Sequence, residues 1–278
     1  MTYKLALIDV HKKLLVVVIV DRSGPSVVVA SRRFGAGSLE LRHLREWLLR
    51  NGVAEVVMES TAQYGKPVWL ELEPHFRLHL AQALSNKAPK SRKSDMADTE
   101  PLARRFVADE LILSFVPEPE QRAWRIITRG RLQLVRERVQ LQNQIESLLE
   151  EGRITLSTVI SGRRILRAIA NGESDPARLT APGDDRLKCD VETLIDALTS
   201  DMRDVHRTLL TQHLDRIELI DRQVDDLNRL AATHLRRYRD AVTRLIEIPG
   251  IGAEAAQEII AEIGPEAATF PLSPQLAS

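Results

Sequence analysis

Four acidic residues in the first hundred positions have the types and settings that divalent-cation chemistry requires. They are Asp9 in LALIDVHKK, Glu59 in VAEVVMES, and Asp95 and Asp98 in RKSDMADTE. Hard cations such as Mg2+ or Mn2+ are held by carboxylate oxygens and keep several waters for substrate phosphates. Asp9 and Glu59 each end a short apolar run that reads as a buried strand. Asp95 and Asp98 stand three apart in a segment with helical spacing, where both can face one way. Glu59 directly follows Val56, Val57 and Met58, and a carboxylate emerging from a buried run needs a cation or a basic partner to offset its desolvation. Each residue taken singly also has an ordinary reading: a turn or helix cap for an Asp at a strand end, a surface position for Glu59.

Basic residues accompany the acidic ones. His11, Lys12 and Lys13 follow Asp9; His11 is a candidate for phosphate contact or proton transfer, whereas the lysines read as solvated turn residues. Lys87, Lys90, Arg92 and Lys93, with Arg104 and Arg105, surround Asp95 and Asp98. Such side chains can hold phosphates while a metal neutralises the reacting oxygens, although for any one lysine a solvated loop is the plainer assignment. A second motif runs from Leu245 to Gly264, LIEIPGIGAEAAQEIIAEIG. An apolar helix, a turn through Pro249, Gly250 and Gly252, and an alanine-rich helix form the helix-hairpin-helix pattern. Its glycines permit a tight turn and close approach of backbone N–H groups to a phosphate. Such a hairpin grips the nucleic-acid backbone and carries little sequence information; a purely structural helical hairpin is the alternative.

Positioning these groups falls to a recognisable order of elements. Lys4–Val10, Leu14–Val20 and Val27–Arg33 are β-branched runs separated by polar or Gly-Pro turns, which predicts a three-stranded meander. A helix over Ser38–Leu49, a strand over Val53–Met58, a helix over Lys66–Leu72 and a strand over Arg77–Leu84 follow. The fold class is therefore α/β, in the β-β-β-α-β-α-β order of ribonuclease-H-like folds, an order that other α/β layers share. From Pro117 the composition changes to long amphipathic helices, one over 120–150 with Gly130 as a candidate bend and one over Val191–Arg237. The second carries Ile217, Ile220, Val224, Leu227 and Ala231 at coiled-coil spacing, and the two seams predict a helical hairpin or a dimer contact. Residues 152–188, broken by glycine and proline, read as short helices and loops. Three domains are expected: 1–116, 117–238 and 239–278.

Composition narrows the function classes. Of the 278 residues 44% are hydrophobic and 28% charged, which argues against disorder, and aromatics at 4% argue against base stacking as the main binding device. Basic and acidic residues balance at 39 each, so contact with nucleic acid must rest on local patches. Cys189 is the sole cysteine, which excludes an internal disulfide and any multi-cysteine metal site and suits a reducing cytoplasm. Leu14–Val20 is far too short to span a membrane and Met1–Val10 lacks the order of a signal peptide. No membrane partner is expected.

Taken together, IDVHKK, VVMESTAQYGKPVW, the stretch from Asn86 through KAPKSRKSDMADTEPLA, the coiled helices, LIEIPGIG and the closing FPLSPQLAS resemble one family over essentially the whole chain. It is the DEDD/serine insertion-sequence transposase family, which includes Piv-type DNA invertases and bridge-RNA-guided recombinases. The resemblance implies a RuvC-like domain in which Asp9, Glu59, Asp95 and Asp98 are catalytic and bind Mg2+ (or Mn2+). It also implies a coiled coil that builds a homodimer or tetramer, and a C-terminal transposase domain opened by the helix-hairpin-helix. The implied function is DNA transposition or site-specific recombination, with DNA and a structured guide RNA as partners.

Family members carry a nucleophilic serine, in a Ser/Gly-rich motif, beyond the segment matching PLSPQLAS. This sequence reaches Ser278 first, and neither Ser273 nor Ser278 sits in such a motif. The expectation is a C-terminally truncated chain, inactive alone, whose nucleophile lies further on; that serine would form a covalent link to DNA and split strand exchange into two easier steps. Two other readings stand beside it: a junction-resolvase-like nuclease using a metal-activated water, and a non-catalytic DNA-binding regulator derived from a transposase.

Overall fold

The computed structural model describes residues 4–21, 27–60, 63–82, 106, 110–152, 154, 162–173, 175, 178–179 and 202–266. They fall into two compact units, one within residues 1–116 and one within 117–278. Asp95, Asp98, Lys87, Lys90, Arg92, Lys93, Ser273 and Ser278 lie outside the described residues.

The first unit is built on a sheet of β1 (Lys4–Val10), β2 (Leu14–Asp21), β3 (Val27–Gly35), β4 (Val53–Ser60), β5 (Arg77–Ala81) and β6 (Leu113–Ser114). Their order is β3-β2-β1-β4-β5-β6. The β1–β2 and β2–β3 pairs are antiparallel, as hairpin connections require, whereas β1–β4 and β4–β5 are parallel because α1 (Ser38–Arg50) and α2 (Gly65–Leu72) intervene. Leu41, Leu44 and Leu48 of α1 and Val68 and Leu72 of α2 pack with Ala6, Ile8, Val10, Val56 and Met58 to form the main core. The alternation of a strand sends Leu5, Leu7, Val57 and Ala81 to the opposite face, where they meet Phe106 and Leu111. β6 is not expected from the sequence; at two residues it is too short to show any alternation.

The parallel β1–β4 ladder has one irregularity. Lys4 is aligned with Val53 but Leu5 with Glu55, so Ala54 is an extra residue in β4. That bulge reverses the parity of the strand: Val53 belongs to the helix-covered core, while Glu55, Val57 and Glu59 project from the other face.

In the second unit α3 (Pro119–Glu151), α4 (Arg163–Ala170) and α5 (Asp204–His234) are followed by a 3-10 turn at Arg236–Tyr238, α6 (Arg239–Ile246) and α7 (Ala253–Ile263). Helix α3 continues through Gly130 without a break, held by buried Ile127 and Arg131 on either side. α5 starts at Asp204, which places negative charge in its first turn; residues 191–201 of the expected helix lie outside the described residues. Its seam residues Ile217, Ile220 and Val224 are buried against Leu141, Ile145, Leu148 and Leu149 of α3. This apolar seam is therefore used within one chain. Among the described residues no helix is long and apolar enough to cross a membrane.

Arg131 joins three helices of this unit. Its guanidinium, 1% exposed, donates to Asn228 Oδ1 of α5 at 2.9 Å, and on α7 to Gln257 Oε1 at 2.7 Å, the Glu254 carbonyl at 2.7 Å and Glu258 Oε1 at 3.1 Å. At the other end of α7, Gln121 Nε2 and Arg125 Nε donate to the Ala261 carbonyl, each at 3.1 Å, and Arg129 grips Glu262 through two bonds of 2.7 and 2.8 Å. Gln121 and Arg125 thereby satisfy a carbonyl that the helix end leaves without an intrahelical partner. Trp124, Leu235, Ile260 and Ala261 complete the contact, with Tyr238 edge-on to Trp124 at 5.2 Å.

Two predictions follow from these environments. Arg131→Ala strands four acceptors at once and should cost about 3 kcal/mol, as removal of one member of a buried charged network does. Arg229→Ala, at an exposed i,i+3 pair with Asp226, should change stability by less than about 1 kcal/mol. Urea titrations followed by helical circular dichroism compare the two; equal losses would refute the assignment of Arg131.

The second concerns His79, whose ring stands 5.0 Å from Phe106. Burial holds its imidazole below the ordinary 6.5, outweighing the raising effect of Glu55, and Arg77 acts with burial. The unfolded chain then binds the proton more readily, so this contribution to stability is complete above 6.5 and is lost as pH falls below it. The urea midpoint of the first unit should drop between about pH 7.5 and about pH 5.5, and His79→Gln should flatten that drop. An unchanged slope in the variant would assign it elsewhere.

Candidate acidic site

Asp9 and Glu59 are direct partners in the parallel β1–β4 ladder. Parity places both on the face opposite α1 and α2, Asp9 in line with Leu5 and Leu7, Glu59 in line with Val57. Both stand at the carboxyl ends of adjacent parallel strands, the edge where α/β sheets gather ligands. Neighbouring strands are about 5 Å apart, and like charges directly opposite one another across a ladder repel. A cation shared by the two carboxylates would relieve that repulsion.

Both groups are half-buried, the Asp9 side chain being 27% exposed. His11 lies just past the end of β1, two positions beyond Asp9, and its Nε2 is 3.0 Å from Asp9 Oδ2. The His11 backbone N–H donates to the Leu14 carbonyl at 2.9 Å, which closes the β1–β2 turn and fixes the start of the imidazole side chain. On its other side Glu59 is aligned with Ala81 of β5, a residue too small to cover it. Further along the same face Glu55, 8% exposed, has Arg77 Nη1 at 3.5 Å and His79 Nε2 at 3.7 Å. The sequence reading did not single out Glu55; its only signal is that it precedes Glu59 by four residues in one strand.

The donor chemistry suits Mg2+ or Mn2+, since the paired side chains offer hard carboxylate oxygens. Among the described residues no three His, Cys, Asp or Glu side chains form a complete metal-holding group, so Asp9 and Glu59 constitute the described part of the expected four. Phe106, eight positions after Asp98 in the sequence, packs on the face that bears Asp9 and Glu59.

The turn between α6 and α7 is well formed. Gly250 has φ +89°, in the left-handed region that favours glycine, and Gly252 caps α7 in an extended conformation. The Ile251 N–H donates to the Ile248 carbonyl at 3.0 Å and the Ala256 N–H to the Gly252 carbonyl at 2.9 Å. Pro249 and Gly250 are exposed. Glu247 and Glu254 flank the turn, with Glu254 accepting from Asn228 Nδ2 at 3.1 Å. The first N–H groups of α7 lie at this turn, and the two glutamates put negative charge beside it.

A family model described as transposase, for DEDD transposases of the IS110 type, matches residues 7–153, just over half of the chain, and covers all four of the acidic residues. No curated protein matches the sequence. The chain belongs to the IS110-type DEDD transposase family.

Proposed function

We propose that this chain is the DNA-processing core of an insertion-sequence transposase, in which Asp9 and Glu59, together with Asp95 and Asp98, hold Mg2+ (or Mn2+) at a RuvC-like site and orient a scissile phosphate. The observation that carries this reading is the in-register pairing of Asp9 with Glu59 on neighbouring parallel strands. The family match supports DNA as substrate, and the strand order, three antiparallel strands leading into parallel ones, supports the RuvC-like comparison. When bound, the cation supplies Lewis-acid polarisation of phosphoryl oxygens and offsets the negative charge of the carboxylates.

The protein's own part is positional. Two strands buried on both faces hold Asp9 and Glu59 with little freedom, so a phosphate meets a preset pair of acceptors. Lys87, Lys90, Arg92 and Lys93 neutralise neighbouring phosphates, and the turn at Pro249, Gly250 and Gly252 offers backbone N–H groups to another stretch of the strand. The nucleophile is a serine, and a structured guide RNA is a further partner. A homodimer or tetramer forms on the outer face of α5. There Val205, Leu209, Leu219 and Leu230 are exposed and, at helical spacing, line one side of α5 distinct from the seam buried against α3.

The acidic site is tested by titrating the full chain with Mn2+ in a calorimeter. Asp9→Asn and Glu59→Gln should each weaken binding by at least ~10-fold, the lower end of what even an indirect contact to a ligand costs. Each should retain DNA binding, which the carboxylates do not supply. Undiminished Mn2+ affinity in both variants would remove the site. For assembly, Leu219→Glu combined with Leu230→Glu should lower the mass measured by light scattering to that of a monomer, and an unchanged oligomer would exclude this face.

A further inference from the structure

The structure assigns His11 a role as positioning residue for Asp9: its imidazole fixes the plane of the Asp9 carboxylate so that Asp9 and Glu59 present their oxygens together. The inference rests on the acidic site proposed above and adds to it a residue that acts through Asp9.

Three observations carry it. The Nε2 atom stands 3.0 Å from Asp9 Oδ2 as an ion-pair contact, and a proton on Nε2 makes the imidazole the donor toward that oxygen. The nitrogen that donates to the carboxylate is not itself a metal ligand, and the ring's other nitrogen, Nδ1, takes no part in this contact. The backbone of His11 is anchored by its N–H to the Leu14 carbonyl at 2.9 Å, so the imidazole starts from a fixed point directly beyond β1. Finally, Asp9 sits beside Glu59 in the ladder, where repulsion between carboxylates would turn the Asp9 side chain away. A donor on Oδ2 opposes that rotation, and carboxylates that bind metals are generally held by such outer contacts.

The ordinary alternative is an exposed histidine–carboxylate pair with no consequence. His43 and Glu40 supply the comparison within this molecule: Nδ1 lies 3.3 Å from Oε1 on α1, both side chains are about half exposed, and they stand on a helix of the opposite layer. Such pairs contribute little. His11 differs in that its acceptor is half of the acidic pair.

The test uses the full chain, Mn2+ as the probe, calorimetric affinity as the first readout and melting temperature as the second. His11→Ala should weaken Mn2+ binding by about 10-fold, at the lower end for loss of an outer contact, with the melting temperature unchanged. His11→Gln, whose amide N–H extends to where Nε2 sits, should stay within roughly threefold of the parent. His43→Ala should change neither readout. If Asp9→Asn weakens binding while His11→Ala leaves it unchanged or tightens it, the positioning role is overturned and the acidic site stands. Should Asp9→Asn itself leave the affinity intact, both fall. A loss in His11→Ala that His11→Gln does not rescue, or that comes with a lowered melting temperature in both variants, would assign His11 to the fold and also overturn the role.

Discussion

One extra residue in β4 governs the chemistry available to the first unit. Were the β1–β4 ladder regular from its first pair, Lys4 with Val53, Asp9 would be aligned with Met58, and Glu59 would fall one step out of register. The bulge at Ala54 advances the strand so that Leu5 meets Glu55 and Asp9 meets Glu59. Because side chains alternate with a period of two, the same slip decides which face each residue occupies. Val53 goes to the helix-covered core, whereas Glu55, Val57 and Glu59 go to the opposite face. The acidic pair thus depends on a backbone irregularity remote from both carboxylates.

What makes such a pair tolerable is the rigidity and dryness of the strands that carry it. β1 and β4 are central in the sheet and covered on both faces, with Ile8, Val56, Val57 and Met58 all fully buried. Burial of this kind disfavours any local rearrangement that would let the two carboxylates separate. The second unit uses charge differently. Its buried cation, Arg131, satisfies acceptors on α5 and α7, so polar bonds fix how these helices meet while the apolar seam between α3 and α5 supplies the burial.

The sequence makes some of this legible and hides the rest for identifiable reasons. Runs of Val, Ile and Leu bounded by turn residues mark β1 to β5, and Asp9 and Glu59 stand out because each interrupts such a run. Their register does not, since a bulge leaves no mark in composition and Ala54 is an unremarkable alanine. The apolar period of Ile217, Ile220 and Val224 reads equally as a contact within a chain or between chains; only the position of α3 separates the two, and the contact lies within the chain. Arg131, in a segment dense with arginines, carries no mark of burial in the sequence, although it is among the least exposed side chains.

The two-point attachment of α7 has a mechanical consequence. Arg131 holds the first turns of that helix, Gln121 and Arg125 hold its last carbonyls and Arg129 holds the Glu262 carboxylate, so α7 has no pivot about which to swing. The turn at 247–252 therefore moves with α3 as a lever moves with its shaft. Whatever docks against this turn meets a surface ordered in advance and loses little conformational entropy in doing so. A load applied there is carried into a helix of 33 residues instead of being absorbed by a loop.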